Sequence, residues 1–296
     1  MIDAQVHLWE PESKDRPWID SARGSVHRAS FSVADLLAAM TAAGVAKAVL
    51  VPPSWVGGWN ETCLDAARRF PDRFTVMGRL DVERPLDVEA LARWFSVPGM
   101  SGIRLTFRRP DDLKLLHEGR ADWIWRGADE LALPVSIYAP HSTGALGDIA
   151  RNYPAMRIIV DHLGLDLGFQ DATIKDAVDR LCALAVHPNI AVKATSLPSH
   201  VSGGYPFPIL RDAVTSVVRA FGAERVFWGS DLTRLTCTYD DLISFFVEEL
   251  PDLKPCEREL IMGKALEQWL NFPFEAVGTN EGAHPTTSRS GSKPFA

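Results

Sequence analysis

Short apolar runs rich in Val, Ile and Phe alternate along the chain with stretches whose apolar residues recur at helical spacing. The runs predict strands at 2–8 (IDAQVHL), 46–51 (AKAVLV), 74–80 (FTVMGRL), 102–107 (GIRLTF), 134–138 (PVSIY), 156–161 (MRIIVD), 189–194 (NIAVKA) and 224–229 (ERVFWG). Most are continuous rather than alternating, as strands buried on both faces of a parallel sheet require. Helical patterns fill the gaps. Ser32 and Asp35 form a capping box ahead of LLAAMTAA, with Gly44 placed to end that helix. Asn60 stands where it can cap ETCLDAARRF, which Pro71 stops. Pro85 opens LDVEALARWF, and further patterns cover 120–131, 143–152, 172–186, 208–220, 238–250 and 254–270. Eight strand–helix alternations with right-handed crossovers predict an α/β protein: a single, slightly distorted (β/α)8 TIM barrel over residues 1–277. A doubly wound open sheet would need a glycine-rich phosphate turn after the first strand, and the chain there reads HLWEPES.

Two loops stand out, 9–31 after the first strand and 195–207 after the seventh. Both fall at the C-terminal mouth of a barrel, where loops build sites. From about Gly278 the chain turns to Gly, Ser, Thr, Asn and Pro, so 278–296 reads as a disordered tail. The 296 residues are 46% hydrophobic and 23% charged, ordinary for a globular enzyme-sized chain. With 31 Lys and Arg against 38 Asp and Glu the net charge is −7, which disfavours a non-specific nucleic-acid binder. Cys63, Cys182, Cys237 and Cys256 form no C-x-x-C pair, so zinc-ribbon and thioredoxin-like motifs are absent. The N-terminus enters a strand pattern with no basic, then apolar, leader, and no run reaches the ~20 apolar residues of a membrane span. These features read as a cytoplasmic protein with reduced cysteines. Trp9, Trp18, Trp55 and Trp59 cluster near the first two strand ends, as an apolar wall, core packing or an interface between copies.

If the barrel closes, the chemistry lies at its strand C-termini, where polar residues follow one another. Gln5 and His7, two apart, share one face of the first strand. Arg104 comes from the fourth strand, Tyr138 and then His141 from the fifth, Asp161-His162 from the sixth, Lys193 from the seventh and Ser230-Asp231 from the eighth. Asp231 follows the apolar VFWG, so its carboxylate should be partly buried and either partnered or raised in pKa, as a general base requires. A salt bridge to Arg234 or a helix cap is its structural alternative. His162 could equally be a core histidine bonded to backbone, and Gln5 an amide linking strands. Arg104 is suited to grip a carboxylate, or else to make a stabilising ion pair. His200 and Tyr205 of the seventh loop can touch substrate, whereas His27, His117, His187 and His284 receive no role. No G-x-S-x-G elbow or P-loop occurs.

Together IDAQVHLW, GIRLTF, IIVDHLG, AVKATS and VFWGSD resemble the amidohydrolase superfamily, in its amidohydrolase-related branch of lactonases and decarboxylases. The opening is similar to the D-x-H-x-H-x-W signature of that branch, with Gln5 in place of the first histidine. The resemblance implies catalysis by Asp231, His162 and His7, with Arg104, Lys193, Tyr138, Gln5 and His200 binding substrate. In metal-dependent relatives the matching ligands would be His7, His162 and Asp231, holding zinc or manganese. An amide at position 5 is a poor zinc ligand, so a metal-free site is the first expectation and a single divalent metal the alternative. The implied reaction is catabolic: hydrolysis of a small, carboxylated lactone, in which Asp231 takes a proton from water while His162 and His7 polarise the ring carbonyl. A lactone isomerase, a metal-assisted decarboxylase and a non-enzymatic binding protein are the alternatives.

Overall fold

A computed structural model describes residues 1–168 and 170–272. The expected tail 278–296 and His284 lie outside them, so the domain limits at 277 stay an expectation. Eight parallel strands form one sheet in sequence order: β1 (Ile2–Val6), β2 (Lys47–Leu50), β3 (Phe74–Arg79), β4 (Met100–Thr106), β5 (Pro134–Tyr138), β6 (Arg157–Val160), β7 (Ile190–Ala194) and β8 (Val226–Trp228). All eight lie where the apolar runs predict them. Helices follow the strands on the outside, and their apolar faces pack with Val6, Leu50, Val76, Leu105, Ile137 and Val192 into the main core. The predicted capping box of Ser32 and Asp35 is present on the helix Val33–Ala42. The helix Pro110–His117 is not foreseen, because its apolar stripe is too short to show a period. Asn60 precedes its helix as expected but makes no side-chain cap there.

The seam between β8 and β1 is closed mainly by a side chain. Asp3 Oδ1 accepts the backbone amides of Gln5 (3.0 Å) and Ser230 (2.8 Å), and Oδ2 accepts the hydroxyls of Ser230 and Tyr239. Asp231 N adds one backbone bond to Gln5 O at 2.9 Å. Burial pushes the Asp3 carboxyl up, and four donors oppose that shift. Gly229 permits the approach, since a Cβ there would lie 2.7 Å from Ala4 N and Asp3 Oδ1. Asp3 opens the family-like signature and serves this seam rather than the reaction.

Inside the barrel two layers differ in kind. At the N-terminal end Ile2, Ala4, Val49, Met77, Ile159 and Phe227 form an apolar plug, sealed by Ala265, Leu266 and Leu270 of the last helix. That helix seats closely because Gly263, with φ at 155°, has no Cβ to strike Ile2. Above the plug the inward residues become polar. Candidate chemistry begins there.

Candidate active site

A cavity of about 820 Å³ fills the C-terminal mouth, bordered by Gln5, His7, Arg79, Arg104, His162 and Asp231 among others. Three turns at its floor carry left-handed backbone: His162 (φ 54°), Ser196 (φ 60°) and Asp231 (φ 52°), directly after β6, β7 and β8. Each non-glycine residue in that conformation costs about 1 kcal/mol or more, and such strain gathers at functional sites. The cost is met by packing: all three residues are buried.

A buried ionic network runs from the cavity floor, at Gln5 and Arg104, into the barrel beneath it. Lys193 Nζ donates to Ser136 Oγ (3.0 Å) and Gln5 Oε1 (3.2 Å) and pairs with Asp161 Oδ1 at 3.2 Å. Ser136 Oγ donates to the same Asp161 oxygen at 2.6 Å, and Arg104 Nε approaches Asp161 Oδ2 at 2.7 Å. Burial pushes the Asp161 carboxyl up, but Arg104 and Lys193 hold it far below the usual carboxylate range. Burial depresses Lys193 despite that carboxylate, and Arg104 adds to the depression. The network is therefore built around one anion shared by two cations.

Hydrogen-bond logic then fixes the floor. An ammonium only donates, so Gln5 presents its carbonyl to Lys193 and its NH₂ to His162 Nε2, 3.3 Å away. His162 Nε2 must accept, which places the proton on Nδ1, facing Thr195 Oγ1 (2.8 Å) and Thr195 O (3.3 Å). Burial pushes the pKa of His162 down to about 4, so the ring is neutral at pH 7. Tyr138 meets it edge-on at 5.1 Å.

His7 faces acceptors with both ring nitrogens: Nδ1 lies 2.6 Å from Val51 O and Nε2 lies 3.2 Å from Asp231 Oδ1. Asp231 thereby stabilises a proton on Nε2. Burial pushes the Asp231 carboxyl up, yet His7, His162 and Arg234 hold it well below the usual range. Of the two alternatives for this buried carboxylate, a partner or a raised pKa, Asp231 takes the partner, and the group is ionised at any physiological pH.

Other expected site residues divide. Gln5, His7, Arg104, Tyr138, His162 and Asp231 do border one cavity. Lys193 and His200 do not; both are fully buried, Lys193 under Gln5 and His200 with Nδ1 donating to Asp166 O at 2.8 Å. Arg104 is committed to Asp161, the ion-pair alternative of its reading. His141 reaches Asp166 Oδ2 at 3.1 Å, and Tyr205 lies exposed against Glu248 and Glu249. Trp9 and Trp55 pack edge-to-face at 5.1 Å in the core, whereas Trp59 is exposed.

Sequence reasoning passed over Arg79, at the end of β3. Its Nε donates to Pro52 O (2.6 Å), and both Nη atoms lie 3.2–3.3 Å from Thr106 Oγ1. Asn60 clamps its backbone, Oδ1 accepting Arg79 N at 2.7 Å and Nδ2 donating to Arg79 O at 3.0 Å. That clamp is what the Asn60 side chain does instead of capping its helix. Burial, and then the like charge of Arg104, push the Arg79 pKa down to about 9. Among the described residues no carboxylate lies within ion-pair distance of Arg79 or of Arg234, which also borders the cavity. The signal for Arg79 was present, since it is the lone cation of the apolar run FTVMGRL as Arg104 is of GIRLTF.

Comparison with known proteins bears on this geometry. The amidohydrolase family model matches residues 2–269. The chain belongs to the amidohydrolase family. As a member it is a hydrolase, and the branch its sequence resembles is the lactonase-like one. L-fucono-1,5-lactonase of Burkholderia ambifaria is 30% identical over 261 residues, 81% of this chain and 83% of that protein. Among solved structures, an amidohydrolase from Burkholderia multivorans with bound zinc shares 22% identity at a TM-score of 0.75, covering 92% of this chain and 99% of that one. A probable 2-pyrone-4,6-dicarboxylic acid hydrolase from Acinetobacter baumannii, with citric acid bound, shares 19% at 0.74, covering 91% and 98%. At those identities the two structures speak to the fold alone. No described helix of this amidohydrolase is long and apolar enough to cross a membrane.

The family raises the matter of a divalent metal, and the donors at the floor answer it. Among the described residues no group of three or more His, Cys, Asp or Glu side chains converges as a ligand set. His7 Nε2 and Asp231 Oδ1 face each other, but the His162 Nε2 lone pair already accepts from the Gln5 amide. A protonated amide nitrogen is no ligand for zinc or manganese. The set His7, His162 and Asp231 does not fit a divalent ion as it stands.

Proposed function

We propose that this amidohydrolase opens a small lactone bearing a carboxylate, by attack of water on the ring carbonyl. The observation that carries the reading is the His7–Asp231 pair at a cavity floor overlooked by two guanidiniums, Arg79 and Arg234, that lack carboxylate partners among the described residues. Lactone action by the Burkholderia ambifaria relative supports it. Asp231, ionised and buried, takes the proton of the attacking water as its oxygen bonds to the carbonyl carbon. The Nε2–H of His7 turns from Asp231 to the developing oxyanion and passes its proton to the ring oxygen as the acyl C–O bond breaks, and Asp231 then hands the proton taken from water back to Nε2. The product is a hydroxy acid. Arg79 holds the substrate carboxylate, with Arg104 as the neighbouring charge, and Tyr138 and the neutral face of His162 form the wall.

Hydrolysis of a panel of neutral and carboxylated lactones, followed by base uptake and by NMR of the product, tests the proposal. Carboxylated substrates should give the higher kcat/KM, and Asp231→Asn should lose about 10²–10⁴-fold in kcat. Near-wild-type turnover by Asp231→Asn would overturn the assignment. A product with an intact, rearranged ring, or released carbon dioxide, would replace hydrolysis by isomerisation or decarboxylation.

A further inference from the structure

The family-like signature places a histidine where Gln5 stands, and the Gln5 carbonyl rests on Lys193 one layer below. Lys193 is fully buried, its three N–H groups directed at Ser136 Oγ, Asp161 Oδ1 and Gln5 Oε1. A lysine in the centre of a barrel is costly unless its charge is used. Asp161 does not by itself require it, because Arg104 already pairs with that carboxylate at 2.7 Å. What Lys193 uniquely supplies is a donor-only partner for one end of the Gln5 amide. Without it the amide could turn over and present its carbonyl to His162, whose ring would then carry its proton on Nε2 while Nδ1 accepts from the Thr195 hydroxyl and gives up only its 3.3 Å contact with Thr195 O.

We infer that Lys193 is a positioning residue which, through Gln5, locks His162 as the Nδ1–H tautomer and withdraws its Nε2 lone pair from any divalent cation. Lys193 and Gln5 thus act as a unit: a fixed ammonium and a neutral amide occupy the floor that a metal and a second histidine would otherwise share. It follows that changing Gln5 alone to histidine does not create a metal site. The new imidazole would sit within one hydrogen bond of a buried cation, which repels a second positive charge in a low-dielectric interior. This inference takes the floor to be the reactive centre of the proposed hydrolase, but neither of its measurements needs turnover.

The first measurement is ¹⁵N-detected NMR of histidine-labelled protein, with the His162 signal identified by its loss in His162→Gln. Wild-type protein should show the Nδ1–H tautomer, and Lys193→Met should show Nε2–H or a mixture. A wild-type Nε2–H tautomer would overturn the proposal with no variant needed, as would a Lys193→Met spectrum identical to wild type. The second is zinc affinity by competition with a chromophoric chelator, for wild type, Gln5→His and Gln5→His/Lys193→Met. The double variant should bind about 10- to 100-fold more tightly than Gln5→His, the range typical of changes beside a ligand set. Equal affinity of the single and double variants, or stoichiometric zinc on His162 in wild type, would overturn it. Loss of lactone hydrolysis as a function would leave both readouts intact.

Discussion

The lower half of the barrel interior holds Ile2, Val49, Met77, Ile159 and Phe227 in contact with one another and with the last helix. The upper half, a few ångströms along the same strands, holds Lys193, Asp161, Arg104, Gln5, His162, His7 and Asp231. The strands are shared, and the pairs Met77 and Arg79, Ile159 and Asp161, Ala191 and Lys193, and Phe227 and Asp231 keep one two-residue period, whereas β1 shifts phase at an irregularity between Asp3 and Val6, so that Ile2 and Ala4 below give way to Gln5 and His7 above. Each apolar residue below stabilises by leaving water, with no directional demand. Above, every residue needs a partner of the right sign and orientation, and a lost partner leaves a buried charge behind. The lower half therefore holds the barrel shut and the upper half spends stability on a fixed arrangement of charge.

Asp161→Asn is the strongest way to test that contrast. It leaves Lys193 and Arg104 without their shared anion, and loss of one partner of a buried pair costs about 3–5 kcal/mol. Urea unfolding should show that loss, and activity of the remaining folded protein should fall as well, because Gln5 and His162 lose their anchor. Phe227→Ala strikes the other half. A cavity in the plug should cost about 3–5 kcal/mol, with kcat per folded molecule within about twofold of wild type. If kcat falls as far as in Asp161→Asn, the two halves are not separable and the contrast fails.

A smaller effect is set by pH. His162 is pushed from 6.5 in the unfolded chain down to about 4 in the fold. Below 6.5 the unfolded chain binds a proton that the native state refuses, so stability is full above 6.5 and falls as pH drops towards 4. The loss from this group is on the order of 3 kcal/mol by linkage, and thermal melts of His162→Gln should show a flatter acid limb. Ionised Asp161 and Asp231 add losses of the same sign at lower pH. The smallest expected change is Arg79→Met. KM for a carboxylated lactone should rise about 10- to 100-fold, the worth of one charge-assisted clamp, with KM for a neutral lactone unchanged. Stability should change little, since a half-buried cation with no carboxylate partner among the described residues is removed together with its bonds to Pro52 O and Thr106 Oγ1. An equal rise for both lactones would deny Arg79 its place on the carboxylate.

Much of this was legible from the chain. Uninterrupted runs such as RIIV and IAVK can be satisfied only by burial on both faces, and their alternation with helices leaves few topologies. The polar residues at strand ends were legible for the same reason: a strand of fixed direction in a barrel delivers its last inward residue to one rim. The helix Pro110–His117 was missed because its apolar stripe is too short to show a period. Asp3 went unassigned because its partners, Ser230 and Tyr239, lie more than 220 residues away. Local patterning carries no record of such a pairing.

The sequence by itself determined the barrel, the family and the set of side chains that meet at its mouth, since periodicity and strand direction are local properties repeated eight times. Only the tertiary structure decided what each of those side chains is free to do. It sank Lys193 and His200 out of the cavity, tied Arg104 to Asp161, set Arg79 on Pro52 O and Thr106 and turned His162 into an acceptor for Gln5. Those roles depend on hydrogen-bond partners from other strands and on depth from water, and both exist only once the barrel has closed.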